Sequence, residues 1–484
     1  MKAHVHASPQ RAWRLGERGI SWSLGSAAAF GVVILCLLGL FLLREAGAFF
    51  PQSRASLQAA RSSGLEAVRL VAGAESAWHE VLANLHAVRA TAYNVGAEAG
   101  QSHADLTTAL AVFDTFLREA ALTVEPLREA TRPQAWAADD MGAPALGAVV
   151  NGLATGLDAW ENNFAQVWAL RPREMGTLGT PDWGAVESAR AQWGVSLARA
   201  RGDLAAWDPT KAVGWGETVG HFLAGPRWMP GGEGEARYGL LPLLLGSLTV
   251  GAVALGVAVP LALGGAVYAV HYARPFERRF LRPTMEIITV IPAVVLGFLG
   301  VAVLGDFLRA ASGTTLLAWF PGFPLLERLN PLTAGILLAV MATPTIFVVA
   351  EQALRRVEAR MQTGAYALGA NRWQCLWDIV LPQAMPGLVA GLLLGFSRVL
   401  GESMIVLLCS GNRLALPGSG GDPNGLFAPV HTMTGIIAQE MGEVSAGSLH
   451  YHALFMLGLV LFTFSLLLNF GVQRVLFRLR LSYA

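Results

Sequence analysis

The sequence predicts an all-α, polytopic membrane protein: six transmembrane helices, with a large helical domain outside the membrane between helices 1 and 2. Three observations predict it. First, 54% of the 484 residues are hydrophobic and only 14% are charged, so apolar segments dominate the fold. Second, six apolar runs are long enough to cross a bilayer. Third, arginines crowd into alternate connections between those runs, as the positive-inside rule requires of a chain threaded back and forth through a membrane.

Residues 1–19 are polar and basic, with Lys2, Arg11, Arg14 and Arg18. Residues 20–43 are almost uninterruptedly apolar. The run is too long for a signal-peptide core, and Arg44-Glu45 followed by Phe49-Phe50-Pro51 offers no small-residue cleavage site, so it reads as the first span. Residues 51–238 change character. They are alanine-rich with scattered charges, and no stretch can span. Leu65, Val68, Val71, Trp78, Val81, Leu82 and Leu85 recur at helical spacing. A compact helical domain follows, in which seven tryptophans (Trp78, Trp136, Trp160, Trp168, Trp183, Trp193 and Trp207) serve as large wedges in an alanine-rich core more readily than as a ligand surface. Pro226, Pro230 and Gly231-Gly232 read as a linker.

The membrane domain occupies 240–476, with spans at about 240–268, 284–304, 332–350, 387–408 and 453–475. Pro260, Pro292 and Pro344 interrupt the first three of these, a pattern tolerated where neighbouring helices or a cavity satisfy the backbone. Arginine density marks the N-terminus, the loops after spans two and four, and the C-terminus; the loops after spans three and five lack it. Both termini are therefore expected in the cytoplasm, in the inner membrane of a cell with two, and 51–238 outside, in a periplasm if there is one.

Several function classes recede at once. A formal net charge of +1 suggests no nucleic-acid partner. The two lysines, Lys2 and Lys211, lie in no G-x-x-x-x-G-K-[ST] context, so no ATPase site of its own is expected. Cys36, Cys375 and Cys409 are isolated and have no metal spacing. His79, His86 and His103 are joined by no carboxylate cluster at ligand spacing. No cofactor is expected. The glycine-rich stretch Gly418–Gly425 reads as a surface loop rather than a phosphate cradle, because it opens no evident helix.

The stretch 363–412 concentrates the remaining information. Its first part, TGAYALGANRWQCLWDIVLPQAMPG, is too polar to insert and reads as a short helix, a turn and a second short helix. Gly364 and Gly369 suit close backbone approach, and Ala370, Trp373 and Leu376 offer apolar surface. Its second part, LVAGLLLGFSRVLGESMIVLL, is apolar but carries Arg398 and Glu402. A charge at bilayer depth costs about 2.5–3.5 kcal/mol on insertion scales. At i and i+4 the two share a helical face and can pair. Such a pair serves either as a structural lock between helices or as a polar patch on a solute path, with a guanidinium suited to an oxyanion.

Gly369, nine residues, then Ile379, Leu381 and Pro382 match the G-x9-I-x-L-P core of the coupling loop of ABC-importer permeases. The following SRVLGESMIVLLCSGN resembles the charged segment of phosphate-specific permeases of the Pst type, nearer the PstC-like subunit than the PstA-like one. AVYAVHYARPFERRFLRPTMEIITVIPAVVLGFLG and MTGIIAQEMGEVSAGSLHYHALFMLGLVLFTFSLLLN are similar to the same family. The resemblance covers about 240–480 and leaves 51–238 without a counterpart. It implies a permease subunit of an ATP-driven phosphate importer. The implied partners are inorganic phosphate, a PstA-like second permease, an ABC ATPase dimer and a periplasmic phosphate-binding protein, all within a lipid bilayer. It places Arg398 and Glu402 on the substrate path, and Thr363, Gly364, Ala365, Gly369, Ile379, Leu381 and Pro382 in the ATPase-coupling segment 363–383. The chain departs from the family pattern at Thr363-Gly364-Ala365, where Glu-Ala-Ala is usual. Transport of another oxyanion or small solute is the alternative. A membrane sensor using the outer domain is a further one, against which stand the uniformly short cytoplasmic segments.

Overall fold

Proline and glycine decide where the helices of this chain begin, bend and stop. The computed structural model describes residues 10–131, 143–175, 178–231, 237–314, 322–414, 416 and 427–482; Gly418–Gly425 and Trp136 lie outside them.

In chain order the first helices are α1 (Gln10–Gly47), α2 (Phe49–Ser62), α3 (Leu65–Glu98), α4 (His103–Leu122), α5 (Glu125–Thr131), α6 (Ala143–Ala169), α7 (Gly184–Ala205) and α8 (Trp215–Ala224). Helices α3–α7 enclose one core. Trp78 sits at its centre, fully buried, with its ring centroid 4.6 Å from Phe164, 5.2 Å from Trp193 and 5.6 Å from Trp160. The tryptophans of this region that are described are core wedges or flank the core. Small residues on α3 (Ala67, Ala74) let the large rings approach.

A short hairpin, β1 (Trp228–Met229) with β2 (Arg237–Tyr238), departs from an all-helical chain. Strand alternation sends Trp228 and Tyr238 into a second core shared with Phe49, Phe222, Leu454 and Leu457. Trp228 Nε1 donates to Glu440 at 3.4 Å, and Glu440 also meets His450 Nε2 at 2.8 Å. This cluster joins the helical domain to the membrane helices.

The remaining helices are α9 (Leu241–Val267), α10 (Pro275–Val290), α11 (Ala293–Leu299), α12 (Gly305–Ser312), α13 (Pro331–Arg355), α14 (Ala359–Ala367), α15 (Arg372–Cys375), α16 (Leu381–Gly401), α17 (Met404–Cys409), α18 (Met433–Glu440) and α19 (Leu449–Ser482). Wider π turns at 268–272, 300–304 and 376–380 follow α9, α11 and α15. Five stretches of these, together with Ala29–Ser62 of α1 and α2, make six among the described residues that are long and apolar enough to cross a membrane. Helix α13 is the hub. Its N-cap Asn330 accepts from Thr333 N at 3.0 Å, and it packs on α9 and α16. Ala254, Ala258, Ala262 and Ala266 form an i+4 stripe on α9, all fully buried. A Cβ at Gly335 would stand 2.5 Å from Val253 Cγ1, so only glycine permits that crossing.

Two spans differ from expectation. The third does not run 284–304 as one helix. Pro292 has no amide to donate and forces Ile291 into extended backbone (φ −65°, ψ 122°), so α10 ends at Val290. The spanning stretch is 293–312, and α10 is a separate helix with no buried residue. The fifth span is also interrupted. Helix α16 stops at Gly401, Glu402 is extended (φ −80°, ψ 124°), and α17 begins two residues later. Pro260 and Pro344, by contrast, lie inside continuous helices.

Candidate translocation path and coupling segment

The polar stretch expected as helix, turn, helix has that form, and its caps explain why. Gly369 adopts φ +88°, the left-handed conformation that glycine alone takes without penalty. Ala370 N then bonds Ala365 O at 3.0 Å and Gly369 N bonds Tyr366 O at 3.1 Å, closing the C-terminus of α14. Asn371 opens α15: its Oδ1 accepts from Gln374 N at 2.8 Å while Gln374 Oε1 accepts from Asn371 N at 2.9 Å. A Cβ at Gly364 or Gly369 would meet nothing within 4 Å inside this chain. Within the subunit, Gly369 therefore acts through its dihedral angle and not through close approach.

The segment has two faces. Ala365, Cys375, Leu376 and Val380 belong to the membrane bundle core, and Ile379 and Leu381 pack against it. Leu376 thus points inward, contrary to its expected place on the free surface. The exposed apolar face is Leu368 (91% exposed), Trp373 and Trp377. The two indoles meet edge-to-face at 5.6 Å. Trp377 escaped the sequence reading, although its i+4 relation to Trp373 was the available signal. Thr363 is exposed and its hydroxyl donates to Ala359 O at 2.9 Å. Pro382 opens α16, where a missing amide costs nothing. Just before this segment, the last turns of α13 are closed internally: buried Glu351 accepts from Arg355 Nε at 3.0 Å and pairs with its Nη2.

Arg398 lies in the last turn of α16 and is exposed on this subunit. The expected i, i+4 pair with Glu402 does not form, because Glu402 has left the helix. Its Oε1 accepts from Met404 N at 3.0 Å, and its carbonyl accepts from Thr434 Oγ1 of α18 at 3.1 Å. No hydrogen bond or ion pair to Arg398 occurs among the described residues. The structure therefore brings together a guanidinium, a carboxylate and an interrupted backbone within five residues. Irregular backbone at membrane depth survives only where protein or a water-filled cavity satisfies it. Cys409 Sγ on α17 donates to Gly297 O at 3.3 Å, so α11 supports the α17 side of the break.

A bundle of interrupted apolar helices with a polar break and a capped two-helix segment on its surface is the membrane part of a transporter. Residues 242–481 match the model of the binding-protein-dependent transport system inner membrane component family. Probable ABC transporter permease protein YqgH of Bacillus subtilis is 34% identical over 249 residues, 51% of this chain and 74% of that protein. Phosphate transport system permease protein PstC of Pasteurella multocida is 32% identical over 264 residues, 53% of this chain and 78% of that protein. PstC of Haemophilus influenzae is 31% identical over 267 residues, 54% and 80% respectively. The chain belongs to the family of binding-protein-dependent transport system inner membrane components, as a permease subunit of an ABC importer. The expected likeness to Pst-type permeases is borne out by these relatives. The family model begins at residue 242 and leaves the helical domain of α3–α7 unmatched.

Proposed function

We propose that this permease carries inorganic phosphate inward, driven by ATP hydrolysis on a separate ATPase dimer. The observation that carries the reading is Arg398 beside the break at Glu402, taken with relatives named as phosphate transport permeases. A guanidinium stays charged at any relevant pH and presents a planar fork to two phosphate oxygens. Glu402 keeps phosphate from binding too tightly to leave, or takes the proton of hydrogen phosphate. The segment 363–383 is the lever. Leu368, Trp373 and Trp377 dock into the ATPase, while Ala365, Leu376 and Val380 carry its movement into the bundle. Thr363 in place of glutamate makes that contact non-ionic at this position. A PstA-like permease completes the path and a periplasmic phosphate-binding protein delivers cargo. Both termini lie in the cytoplasm of the inner membrane, and the domain of α3–α7 lies outside.

Reconstitution of the full importer in liposomes, with radiolabelled phosphate outside and ATP inside, tests this. ATP-dependent uptake that excess sulfate or molybdate does not suppress supports phosphate. Uptake of another oxyanion in preference to phosphate transfers the same path to the alternative substrate.

A further inference from the structure

Helix α18 is held at both ends, by different parts of the molecule. At its C-terminus Glu440 accepts from Trp228 Nε1 of the hairpin at 3.4 Å and meets His450 Nε2 of α19 at 2.8 Å. Tyr238, which pairs with Trp228 in the hairpin, stacks on the His450 ring with centroids 5.7 Å apart. Near its N-terminus Thr434 Oγ1 donates to Glu402 O at 3.1 Å, at the break between α16 and α17. The two anchors are about 9 Å apart along the helix axis.

Packing fixes the helix between them. Met433 and Ile436 are buried in the core that also holds Phe222, Trp228 and Tyr238. Met433 N donates to the buried Ser247 Oγ of α9 at 2.9 Å, and Ser247 Oγ donates to Leu243 O at 2.8 Å. Thr432 caps α18 by accepting from Gly435 N at 3.0 Å. A Cβ at Gly246 would stand 2.1 Å from His431 O, so only glycine lets α9 come this close. Helix α9 itself follows directly from the hairpin, and Leu240 N bonds Phe222 O at 2.7 Å. The hairpin, the first turns of α9 and α18 thus form one packed unit. It begins at the foot of the helical domain, before the family match at 242, and ends on the carbonyl of Glu402.

We infer that α18 is a strut through which the helical domain sets the backbone of the break at Glu402, with Trp228 and Thr434 as positioning residues. The inference rests on the reading of Glu402 as part of the translocation path. Glu402 is extended between two helices, and Thr434 holds its carbonyl. A shift of the domain that moves Trp228 moves Glu440, and the helix, the stiff element between the anchors, carries the shift to Thr434. The domain that the family model leaves unmatched thereby has a hold on the part of the chain that the family shares.

Amide hydrogen exchange on the full chain in nanodiscs reads the break without reference to any substrate. Thr434→Val removes the donor at nearly constant volume and should speed exchange of the amides from Ser403 to Leu407 about tenfold. Thr434→Ser keeps the hydroxyl and should exchange as the parent does. Trp228→Phe and, separately, Glu440→Leu cut the far anchor and should speed exchange at the same amides. Glu440→Gln, which still accepts from Trp228, should not. Uptake of radiolabelled phosphate by the reconstituted importer adds the functional readout. Thr434→Val should slow uptake about fivefold, and adding Trp228→Phe should cost nothing further, because independent sites would combine their losses in full. The strut is overturned if exchange at the break is unchanged in both Trp228→Phe and Glu440→Leu, if Thr434→Ser exchanges as fast as Thr434→Val, or if the two uptake losses multiply. If exchange responds as expected but Thr434→Val transports at the parent rate, the strut stands and the place of Glu402 on the path is what fails.

Discussion

Glu402 accepts a hydrogen bond from the Met404 amide, the first of α17, at 3.0 Å, and stands outside the helix whose last turn carries Arg398. Arg398 consequently keeps its donors for something other than its nearest carboxylate in sequence. The two residues share a place on the proposed path without sharing a bond.

The consequences separate by substitution. Arg398→Ala is expected to abolish ATP-dependent phosphate uptake while the complex still assembles. Arg398→Lys should recover little, because a point charge lacks the fork. Glu402→Gln retains an acceptor for Met404 N and changes only the charge, so it should impair uptake less than Arg398→Ala unless Glu402 takes a proton. Glu402→Ala additionally removes the hydrogen bond to Met404 N, worth about 1 kcal/mol. Uptake rates in proteoliposomes decide among these. A protein with Arg398→Leu and Glu402→Leu that assembles and transports normally would end the site assignment.

The turn between α14 and α15 gives a second test. Gly369 holds φ +88°, where a β-carbon costs about 1–2 kcal/mol. Gly369→Val should disturb the closing bonds to Ala365 and Tyr366, lowering phosphate uptake several-fold while the ATPase still binds. Gly369→Asn, whose side chain tolerates the left-handed region, should retain most of the uptake. Normal coupling in Gly369→Val would remove the lever role of this segment.

How far the sequence could be read follows from which interactions decide each feature. Span number and the two-helix form of 363–383 were legible because apolar length, Gly369 and Asn371 act locally. Pro292 was visible too, but whether a proline kinks or ends a helix depends on its neighbours. Pro344, inside α13 with α9 and α16 packed around it, leaves its helix continuous, whereas at Pro292 the chain breaks. The break at Glu402 was hidden because Gly401-Glu402-Ser403 sits in an apolar run that reads as one helix. Its stabilising contact, Thr434 Oγ1 to Glu402 O, comes from 32 residues away. The inward turn of Leu376 and the outward turn of Trp377 likewise depend on the π turn at 376–380, which shifts the helical phase.

Orientation is open to chemical labelling. In a background with Cys36, Cys375 and Cys409 replaced by alanine, a cysteine at the exposed position Ala104 should react with an impermeant maleimide in cells whose outer membrane is permeabilised. One at Arg360, exposed in α14, should react only after the inner membrane is opened. The reverse pattern would invert the topology and with it the side assigned to the ATPase.

The last prediction concerns the join between α2 and the helical domain. Arg61, 7% exposed in its side chain, is paired with both Glu66 and Glu217, and Trp207 Nε1 adds a bond to Glu66. Burial pushes both carboxyls up, but the hydrogen bonds from Arg61, helped at Glu66 by Trp207, outweigh it and leave each below the ordinary value of 4.5. A carboxyl with a depressed folded-state value binds protons more readily when unfolded. Its stabilising contribution is therefore present above the ordinary value and lost as pH falls through the lower, folded one. The domain should lose stability progressively below pH 4.5. Arg61→Met leaves two partly buried carboxylates without their cation, a change that costs about 3–5 kcal/mol for a buried pair. Acidification should then restore part of that loss, because protonation removes the unpaired charges. Thermal unfolding between pH 3 and 7, followed by tryptophan fluorescence, reads both curves. If Arg61→Met runs parallel to the parent chain across that range, the pair is not what holds α2 against α3 and α8.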